Sequence, residues 1–543
     1  MKKIFITAIF AAVTLTACSD AYDIHQAGVV TEESDAFRTP DGIQKGIRYV
    51  YALFPGETEI AFDSFFTDEL GIGVNNAGQG VNDGSYTFLL EAGNGSVQSI
   101  WGSYYGAVNR LNRIENRIPE MEAEIQSELD NTPTSDSERR NQLESQLNSL
   151  KESKAEVYAL RAYCHYKLFA YFTPDYTDPN GLSIIKFDFL QTDDYNRFES
   201  RATVAEIVAF IEDDIQKAKN LGGLAHNVGL GSGYATDAMM EAILVKMYSM
   251  LQTADAYAKM ETAFNNITNN VNNPKSLATA DTYSFMFGES AEVASADEGI
   301  FKLNRIVTDG ASSQSGVAAA WYADRVGGGA YMEMGRSLYN ELDKLDPSAQ
   351  GQSASAERYD IRYIASVLGS SVVAPNYASM TPDDYRAKDI LYIGKYSGIL
   401  PNRPLMNSLW VFRYTDMLLS LAEKRAFEGD LAGVESIINE IRINRNLLAD
   451  ETAVSMPTDF STQKAAYARI LEERRVEFAF EGHRYLDMKR LGERAGSPGF
   501  VRDPQDCVTT GACQLEPTST RLTLPIPRSE MISNPNMVQN PGY

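Results

Sequence analysis

The sequence predicts a mostly α-helical protein, and three observations support this prediction. Apolar residues recur at helical spacing along most of the chain. Several of these segments come in pairs joined by short turns, and the pairs resemble degenerate tetratricopeptide units. Two segments, 71–95 and 308–335, lack the helical period and predict loops. We therefore expect a helical scaffold with loop-rich insertions, where binding residues usually lie.

The chain begins with an export signal. Lys2 and Lys3 precede an apolar stretch, 4–15, which is too short to span a bilayer. The stretch ends in Leu-Thr-Ala followed by Cys18, an order that resembles a bacterial lipobox, where the cysteine is lipidated after cleavage. An ordinary secretory signal is the alternative. We expect a signal peptide at 1–17, a lipidated N-terminus and tether at 18–39, and a single domain over 40–543.

The first predicted helices enclose a long polar insertion. Two segments, 95–118 and 155–172, each place their large apolar residues on one stripe, namely Ile100, Tyr104, Val108, Leu111 and Ile114, then Val157, Leu160, Tyr163, Cys164, Leu168 and Tyr171. Between them, 120–154 is almost purely charged and polar. It predicts two exposed helical extensions around a turn at 132–136.

Further helices follow with recognisable ends. Thr203 and Glu206 predict a capping box at the start of one helix. The segments 236–252 and 257–271 predict one helix pair, and 409–430 and 431–447 predict another with its break at Gly429. Trp101 and Trp410 lie on the apolar stripes of such segments, which favours a role in the core.

Composition excludes some classes of partner. The chain has 73 acidic and 49 basic residues and a formal charge of -24, which argues against nucleic acid and against electrostatic docking on anionic lipid. Tyrosine (29) exceeds phenylalanine (24). Tyrosine-rich surfaces suit protein interfaces and sugar sites, and filling of amphipathic helices is the alternative.

The cysteines predict one local crosslink. Cys507 and Cys513 flank a short loop, and export to an oxidising compartment favours a disulfide between them. Cys164 lies within a helix among aromatic residues and predicts a buried free thiol.

The segment 470–490 concentrates acids, bases and one imidazole, His483. Its glutamates at 473, 477 and 481 are four residues apart and would repel one another without arginine partners. Arg484 and Asp487 suggest a pair within the helix, and Gly482 a break before His483. We interpret the segment as a partly buried network of ion pairs that holds a helix in place. General acid–base catalysis around His483 is the alternative.

The sequence gives little support for a metal site, a nucleotide site or a catalytic nucleophile. The four histidines, at 25, 165, 226 and 483, show no spacing for a metal site, and no nucleotide-binding loop or nucleophile elbow occurs. A carboxylate pair for glycoside hydrolysis stays open, since no pair stands out. The asparagine-rich segment 265–274 suits a polar helix end or, alternatively, a calcium site. We expect no metal and no cofactor.

Two C-terminal motifs stand out, "ILEERRVEFAFEGHRYLDMKRLG" at 470–492 and the ending "LTLPIPRSEMISNPNMVQNPGY". Both resemble the SusD/RagB family of outer-membrane nutrient-binding lipoproteins. Weaker matches lie in order along the chain at "WGSYYGAVN", "LRAYCHYKLF", "RATVAEIVAFIEDDIQKA" and "FRYTDMLLSLAEKRAFEGD". The polar insertion 120–154 departs from many relatives.

This resemblance implies a SusD-like α-helical fold with four tetratricopeptide-like helix pairs and a loop-rich half with little β structure, its insertions at about 71–95 and 273–405. It also implies a surface-exposed outer-membrane lipoprotein, without catalysis, that captures glycan for a SusC-like TonB-dependent transporter. A peptide-binding, RagB-like uptake protein and a surface glycoside hydrolase are the alternatives, as is a pure protein scaffold.

Candidate ligand residues come from the two irregular loops, which the family resemblance brings together on one face. Flat aromatic rings suit the C–H faces of sugars, and amides or charges suit their hydroxyls. Trp321 stands beside Tyr322, Asp324 and Arg325, and the other loop offers Asn75, Asn76, Gln79, Asn82, Asp83 and Tyr86. A Trp321 that only anchors its loop to the body is the alternative.

Overall fold

The structure, a computed structural model, describes residues 37–543 except 77, 79–80, 82–83, 191–196, 231, 272, 284, 289–297, 306–330, 397, 400–402, 405–406 and 449–453. Its helices are α1 (Pro40–Leu53), α2 (Gly56–Phe66), α3 (Gly95–Asn131), α4 (Ser137–Phe172), α5 (Val204–Asn220), α6 (Asp237–Leu251), α7 (Ala254–Thr268), α8 (Ala280–Tyr283), α9 (Phe285–Gly288), α10 (Arg336–Asp343), α11 (Ile361–Ser366), α12 (Pro382–Lys388), α13 (Tyr414–Glu428), α14 (Leu431–Asn444), α15 (Gln463–Glu477), α16 (Arg484–Ala495), α17 (Pro504–Cys507) and α18 (Arg528–Ser533). Short 3₁₀ turns lie at Ala225–Leu230, Tyr377–Ser379 and Thr520–Leu522.

Strands are few and short, so the predicted mostly helical fold is confirmed. They are β1 (Leu70–Ile72), β2 (Gly299–Leu303), β3 (Met332–Met334), β4 (Gly398–Ile399), β5 (Arg403–Pro404), β6 (Leu409–Arg413), β7 (Phe500–Val501) and β8 (Gln514–Leu515). They form antiparallel pairs β1–β3, β2–β6, β4–β5 and β7–β8.

The two longest helices, α3 and α4, form a hairpin at the start of the scaffold. Each begins at a polar N-cap, because Asn94 accepts from the backbone N–H of Val97 and Asp136 from that of Arg139. The predicted apolar stripes are buried, and Trp101 packs edge-on against Phe172. The polar insertion forms the far half of the hairpin, with its turn at 132–136 as predicted.

The later helix pairs also follow the sequence pattern. Helices α6 and α7 pack together, as do α13 and α14. The capping box of Thr203 and Glu206 is present at the start of α5. Gly429 ends α13 in the left-handed region at φ 80°, a conformation that glycine adopts without the steric cost of a Cβ.

One predicted helix begins later than expected. The segment 409–413 is a strand, β6, whose register pairs Trp410 with Lys302 in β2. The indole N–H of Trp410 donates to the carbonyl of Met286 at 2.7 Å, and only 3% of this residue is exposed. Trp410 therefore belongs to the core as predicted, but on a strand rather than on a helical stripe.

The chain between α15 and α16 breaks earlier than predicted. Helix α15 ends at Glu477, and Glu481 lies in the connecting turn. The turn places Phe480 at φ 62° and Gly482 at φ 80°. Glu473, Glu477 and Glu481 therefore do not share one continuous helix. They are joined by shared arginines, since Arg413 pairs with both Glu477 and Glu481.

The expected pairing of Arg484 with Asp487 is wrong. Arg484 binds Asp68 through two hydrogen bonds, Nε to Oδ1 at 2.9 Å and Nη2 to Oδ2 at 3.0 Å. Asp487 instead accepts from Arg474 at 2.7 Å and from Arg490 at 2.9 Å. Helix α16 packs near the segment before β1, which brings Arg484 next to the buried carboxylate of Asp68. This carboxylate can accept two hydrogen bonds from one guanidinium, which Arg484 uses in place of Asp487.

The cysteines form one crosslink. Cys507 and Cys513 are joined by a disulfide bond, with their Cα atoms 5.1 Å apart. The bond closes the loop after α17, and Cys164 is a buried free thiol in α4. Because α17 packs on β1, the crosslinked loop lies beside the first irregular segment.

Candidate ligand-binding face

The strand pair β1–β3 joins the two irregular segments at their bases. Leu70 pairs with Met334 and Ile72 with Met332, and the N–H of Gly73 donates to the carbonyl of Tyr331 at 3.1 Å. The segment that starts at 71 and the segment that ends at 331 therefore leave the body side by side. We call the surface at this point the loop face, made of Val74, Asn75 and Tyr331. We include the 3₁₀ turn Tyr377–Ser379, because α17 contacts both this turn and β1.

The candidates in the first loop divide into exposed and buried residues. Asn75 is exposed. Asn76 is buried, and its side-chain N–H donates to the carbonyl of Tyr331 at 3.0 Å while its Oδ1 accepts from the N–H of Gly78. Asn76 therefore holds the two segments together rather than presenting its amide to a ligand. Gln79, Asn82 and Asp83 lie outside the described residues.

Tyr86, another candidate of the first loop, lies in the core and does not present its ring on the loop face. Its side chain is fully buried, and its hydroxyl donates to the carbonyl of Asp506 at 3.0 Å. The guanidinium of Arg502 lies 3.9 Å from the centre of its ring. Tyr86 thus fastens the loop to α17. Trp321, Tyr322, Asp324 and Arg325 lie outside the described residues, and so does Cys18.

Tyr377 is an aromatic residue of this face that the sequence reasoning missed. Its ring is half-buried, with the guanidinium of Arg336 3.9 Å from the ring centre. Its hydroxyl donates to Asp503 at 3.3 Å and accepts from Asn340 at 3.2 Å. Gln505 fixes the turn by donating to the carbonyl of Tyr377. The only signal in the sequence is a tyrosine after Pro-Asn within a stretch that lacks the helical period.

A layer of buried carboxyls lies beneath the face. Burial raises the pKa of Glu333 to about 8, and its Oε2 accepts from the N–H of Leu391. Burial also raises the pKa of Asp506 to about 7, although this carboxyl accepts from the hydroxyl of Tyr385 and from the N–H of Arg336. Since both carboxyls are buried and engaged with protein groups, they support the face from below and do not reach its surface.

The acid–base cluster around His483 lies elsewhere and is closed. Burial lowers the pKa of His483 to about 3, and its ring stacks on Phe478 at 4.4 Å. The imidazole borders a cavity of about 40 Å³, too small for a sugar or a peptide. A neutral histidine facing so small a cavity favours the structural interpretation of this segment over acid–base catalysis.

The part of the chain that the structure describes contains neither a group of metal-ligating side chains nor a helix suited to crossing a membrane. No three His, Cys, Asp or Glu side chains are grouped so that they could share a metal ion. None of the helices described has the length and apolarity needed to cross a membrane.

Comparisons with known proteins agree on one family. Residues 402–543 match the model of the SusD family. The chain is 23% identical to SusD-like protein P2 of Formosa agariphila over 572 aligned positions that cover all of both chains. Its fold is similar to that of a SusD superfamily protein from Bacteroides thetaiotaomicron, with a TM-score of 0.67, 20% identity, and 93% of this chain and 100% of the other covered. B. fragilis NanU gives a TM-score of 0.63 at 18% identity, with 95% and 99% covered.

Proposed function

Because the chain is a SusD-like protein, by its fold and by the sequence of residues 402–543, we propose that it captures glycans at the bacterial cell surface. In this proposal it is a lipoprotein of the outer membrane, anchored through Cys18. It passes an oligosaccharide or polysaccharide to a SusC-like TonB-dependent transporter, and it acts by binding rather than by catalysis.

One observation supports the position of the site. The pair β1–β3 sets the bases of the two irregular segments side by side, and Asn76 ties one segment to the carbonyl of Tyr331. Tyr377 adds a half-buried ring at the edge of the same surface. Aromatic rings and amides on a rigid base are the groups that sugar recognition needs, because rings cover C–H faces and amides bond hydroxyls.

The anchor and the role in uptake are supported by the start of the chain. Cys18 follows a short apolar stretch in the order of a lipobox, and several acyl chains on one cysteine hold a folded domain to a membrane. The acidic composition, with a formal charge of -24, makes electrostatic binding to anionic lipid unfavourable, so attachment falls to the lipid.

A binding screen with product analysis tests the proposal. We expect the detergent-solubilised full chain to bind members of a glycan array and to leave them intact on prolonged incubation. Binding to a peptide array with no binding to glycans would favour the RagB-like alternative. Release of shorter sugars would favour a surface hydrolase. The proposed partner is tested by purifying the protein from membranes. Copurification of a large TonB-dependent transporter would support the proposed complex.

A further inference from the structure

A concave surface whose lining includes none of the loop-face residues lies between α10, α15 and the segment 496–501. We call it the arginine groove. Its volume is about 530 Å³, within the range of roughly 300–1,000 Å³ that small-molecule sites occupy. Apolar side chains form part of its lining, namely Leu345, Met456, Pro457, Val476 and Val501. The groove therefore has the size and the mixed lining of a site for a ligand of one or two sugar rings or amino acids.

Two guanidinium groups share one carboxylate in this groove. Arg484 binds Asp68 at 2.9 Å, and Arg475 reaches the other oxygen of the same carboxylate at 3.2 Å. Burial works to raise the pKa of Asp68, but the two guanidiniums hold it well below its usual value, so one full negative charge faces two positive ones. The neighbouring Glu69 carries only about half a negative charge at neutral pH, because burial raises its pKa to about 7.

Arg475 is the cation with the poorest compensation in the groove. Its Nη2 donates to the hydroxyl of Ser337 at 2.9 Å and to the carbonyl of Asp68 at 3.3 Å. Its Nε is buried and has no hydrogen-bond partner among the residues that the structure describes. Burial lowers the pKa of Arg475, which is the direction expected for a cation whose surroundings lack a full countercharge.

The other charges of the groove are already paired. Arg469 binds Glu472 at 2.8 Å, and Lys344 binds Glu341 at 2.7 Å. Arg442 binds Glu473, a buried carboxylate behind the lining, at 2.7 Å. The excess positive charge is therefore local to Arg475 and Arg484, on a chain whose overall charge is strongly negative.

We propose that the arginine groove is a second binding site, separate from the loop face, for a small ligand that carries a carboxylate. The carboxylate pairs with the charged guanidinium of Arg475, while the rest of the ligand lies on the apolar lining. An acidic sugar and an acylated amino acid both supply this chemistry. The site does not depend on glycan capture at the loop face.

Titration of the full chain with small probes tests the proposal. The probes are D-glucuronate, N-acetyl-L-glutamate and, as the neutral match of the first, D-glucose, with binding followed by ligand-detected NMR. We expect at least one carboxylate to bind about tenfold or more tightly than glucose. Binding of glucuronate alone assigns the site to acidic sugars, and binding of the amino acid alone assigns it to peptide ends.

Substitutions locate the binding in the groove. Arg475→Gln should weaken binding of the carboxylate about tenfold or more, because the charged partner is lost while Asp68 keeps Arg484. Arg475→Lys should restore part of the affinity, since the charge returns without the planar fork. Arg139→Gln, on the far half of the α3–α4 hairpin, is the matched control and should leave affinity unchanged.

Three results would overturn the proposal: no binding of either carboxylate, binding of glucose as tight as that of both carboxylates, or full affinity in folded Arg475→Gln. If Arg475→Gln does not fold, Met456→Trp narrows the groove without touching the ion pairs and should abolish binding; full affinity in that variant also overturns it. Tyr377→Ala should not affect these probes, so failure here and failure of glycan capture at the loop face are distinguishable.

Discussion

Arg445 and Glu477 face each other in the interior, with Nη2 3.0 Å from Oε1 and neither side chain exposed. The same Oε1 accepts from Nη1 of Arg413 at 2.9 Å. One carboxylate at the end of α15 is thus joined to the residue that follows α14 and to the last residue of β6. Glu477 and its two arginine partners hold these elements together, which is a structural role.

Replacing Glu477 by alanine should therefore destabilise the protein. The change removes one of the two carboxylates that Arg413 and Arg445 share and leaves them with Glu298, and breaking such a buried network costs roughly 3–5 kcal/mol. Glu128→Ala is the matched control, because its pair with Arg139 is about half exposed and is worth about 1 kcal/mol or less. Urea unfolding measures the loss of stability in each of the two variants. A variant with unchanged stability and lost ligand binding would instead make Glu477 a functional residue.

Glu333 should make stability depend on pH between about 4 and 8. Its pKa is raised to about 8 in the folded protein, against roughly 4.3 in the unfolded chain. Its contribution is therefore fully present below about pH 4 and is lost as pH rises towards 8, because only the unfolded chain releases the proton readily. Glu333→Gln mimics the protonated form and should be more stable than the natural protein at pH 8.

The comparison at low pH serves as the control for this variant. At pH 3 the two proteins should have nearly equal free energies of unfolding, since this pH lies well below the unfolded-chain pKa of roughly 4.3 and the side chain at 333 is almost entirely neutral in both states. A constant difference between them from about pH 3 to pH 8 would contradict a raised pKa and point to a packing effect.

The helical scaffold could be predicted because its signals are local. The stripe through Tyr104 and Val108, the capping box at Thr203 and the break at Gly429 each depend on residues within a few positions of one another. The strand β6 escaped prediction for the opposite reason. Its apolar run suits a buried strand and a buried helix equally, and only pairing with β2, over a hundred positions earlier, decides between them.

The candidate site was predictable only in outline, for a related reason. The glycine- and asparagine-rich composition predicts an irregular segment at 71–95. Whether each of its side chains is buried or exposed, however, depends on residues far away in the sequence. Tyr86 is buried because its hydroxyl finds the carbonyl of Asp506, 420 positions later. Arg484 likewise takes Asp68 as its partner, a choice that no spacing within its own helix could reveal.

Cys18→Ala should release the protein from the membrane. Without the thiol no lipid can be attached, and the described part of the chain offers no helix suited to crossing a bilayer. Fractionation should find the natural protein in the outer membrane and sensitive to protease added to whole cells, and the variant in a soluble fraction. A natural protein that is soluble in the periplasm would contradict the lipobox interpretation.

Tyr377→Ala should weaken glycan binding with the fold intact. The substitution removes a half-buried ring from the edge of the loop face, and loss of a stacking aromatic costs about 1 kcal/mol or more. Tyr49→Ala is the matched control, because this tyrosine is 51% exposed on α1 and, like Tyr377, lies against an arginine, Arg110. Calorimetry with a glycan from the array measures the affinity of each variant. Equal affinities in the two variants would mean that Tyr377 does not contact the glycan.

Trp321→Ala should have the larger effect on glycan binding. Trp101 and Trp410 are buried in the core, so Trp321 is the remaining indole of the chain for a sugar ring to stack on, in the segment that ends beside Asn76 at Tyr331. We expect affinity to fall at least tenfold, about 1.4 kcal/mol, with an unchanged melting temperature. Trp321→Phe keeps a flat ring and should recover part of the affinity. A lower melting temperature with normal affinity would instead mean that Trp321 anchors its loop to the body, and the ligand site would then lie elsewhere.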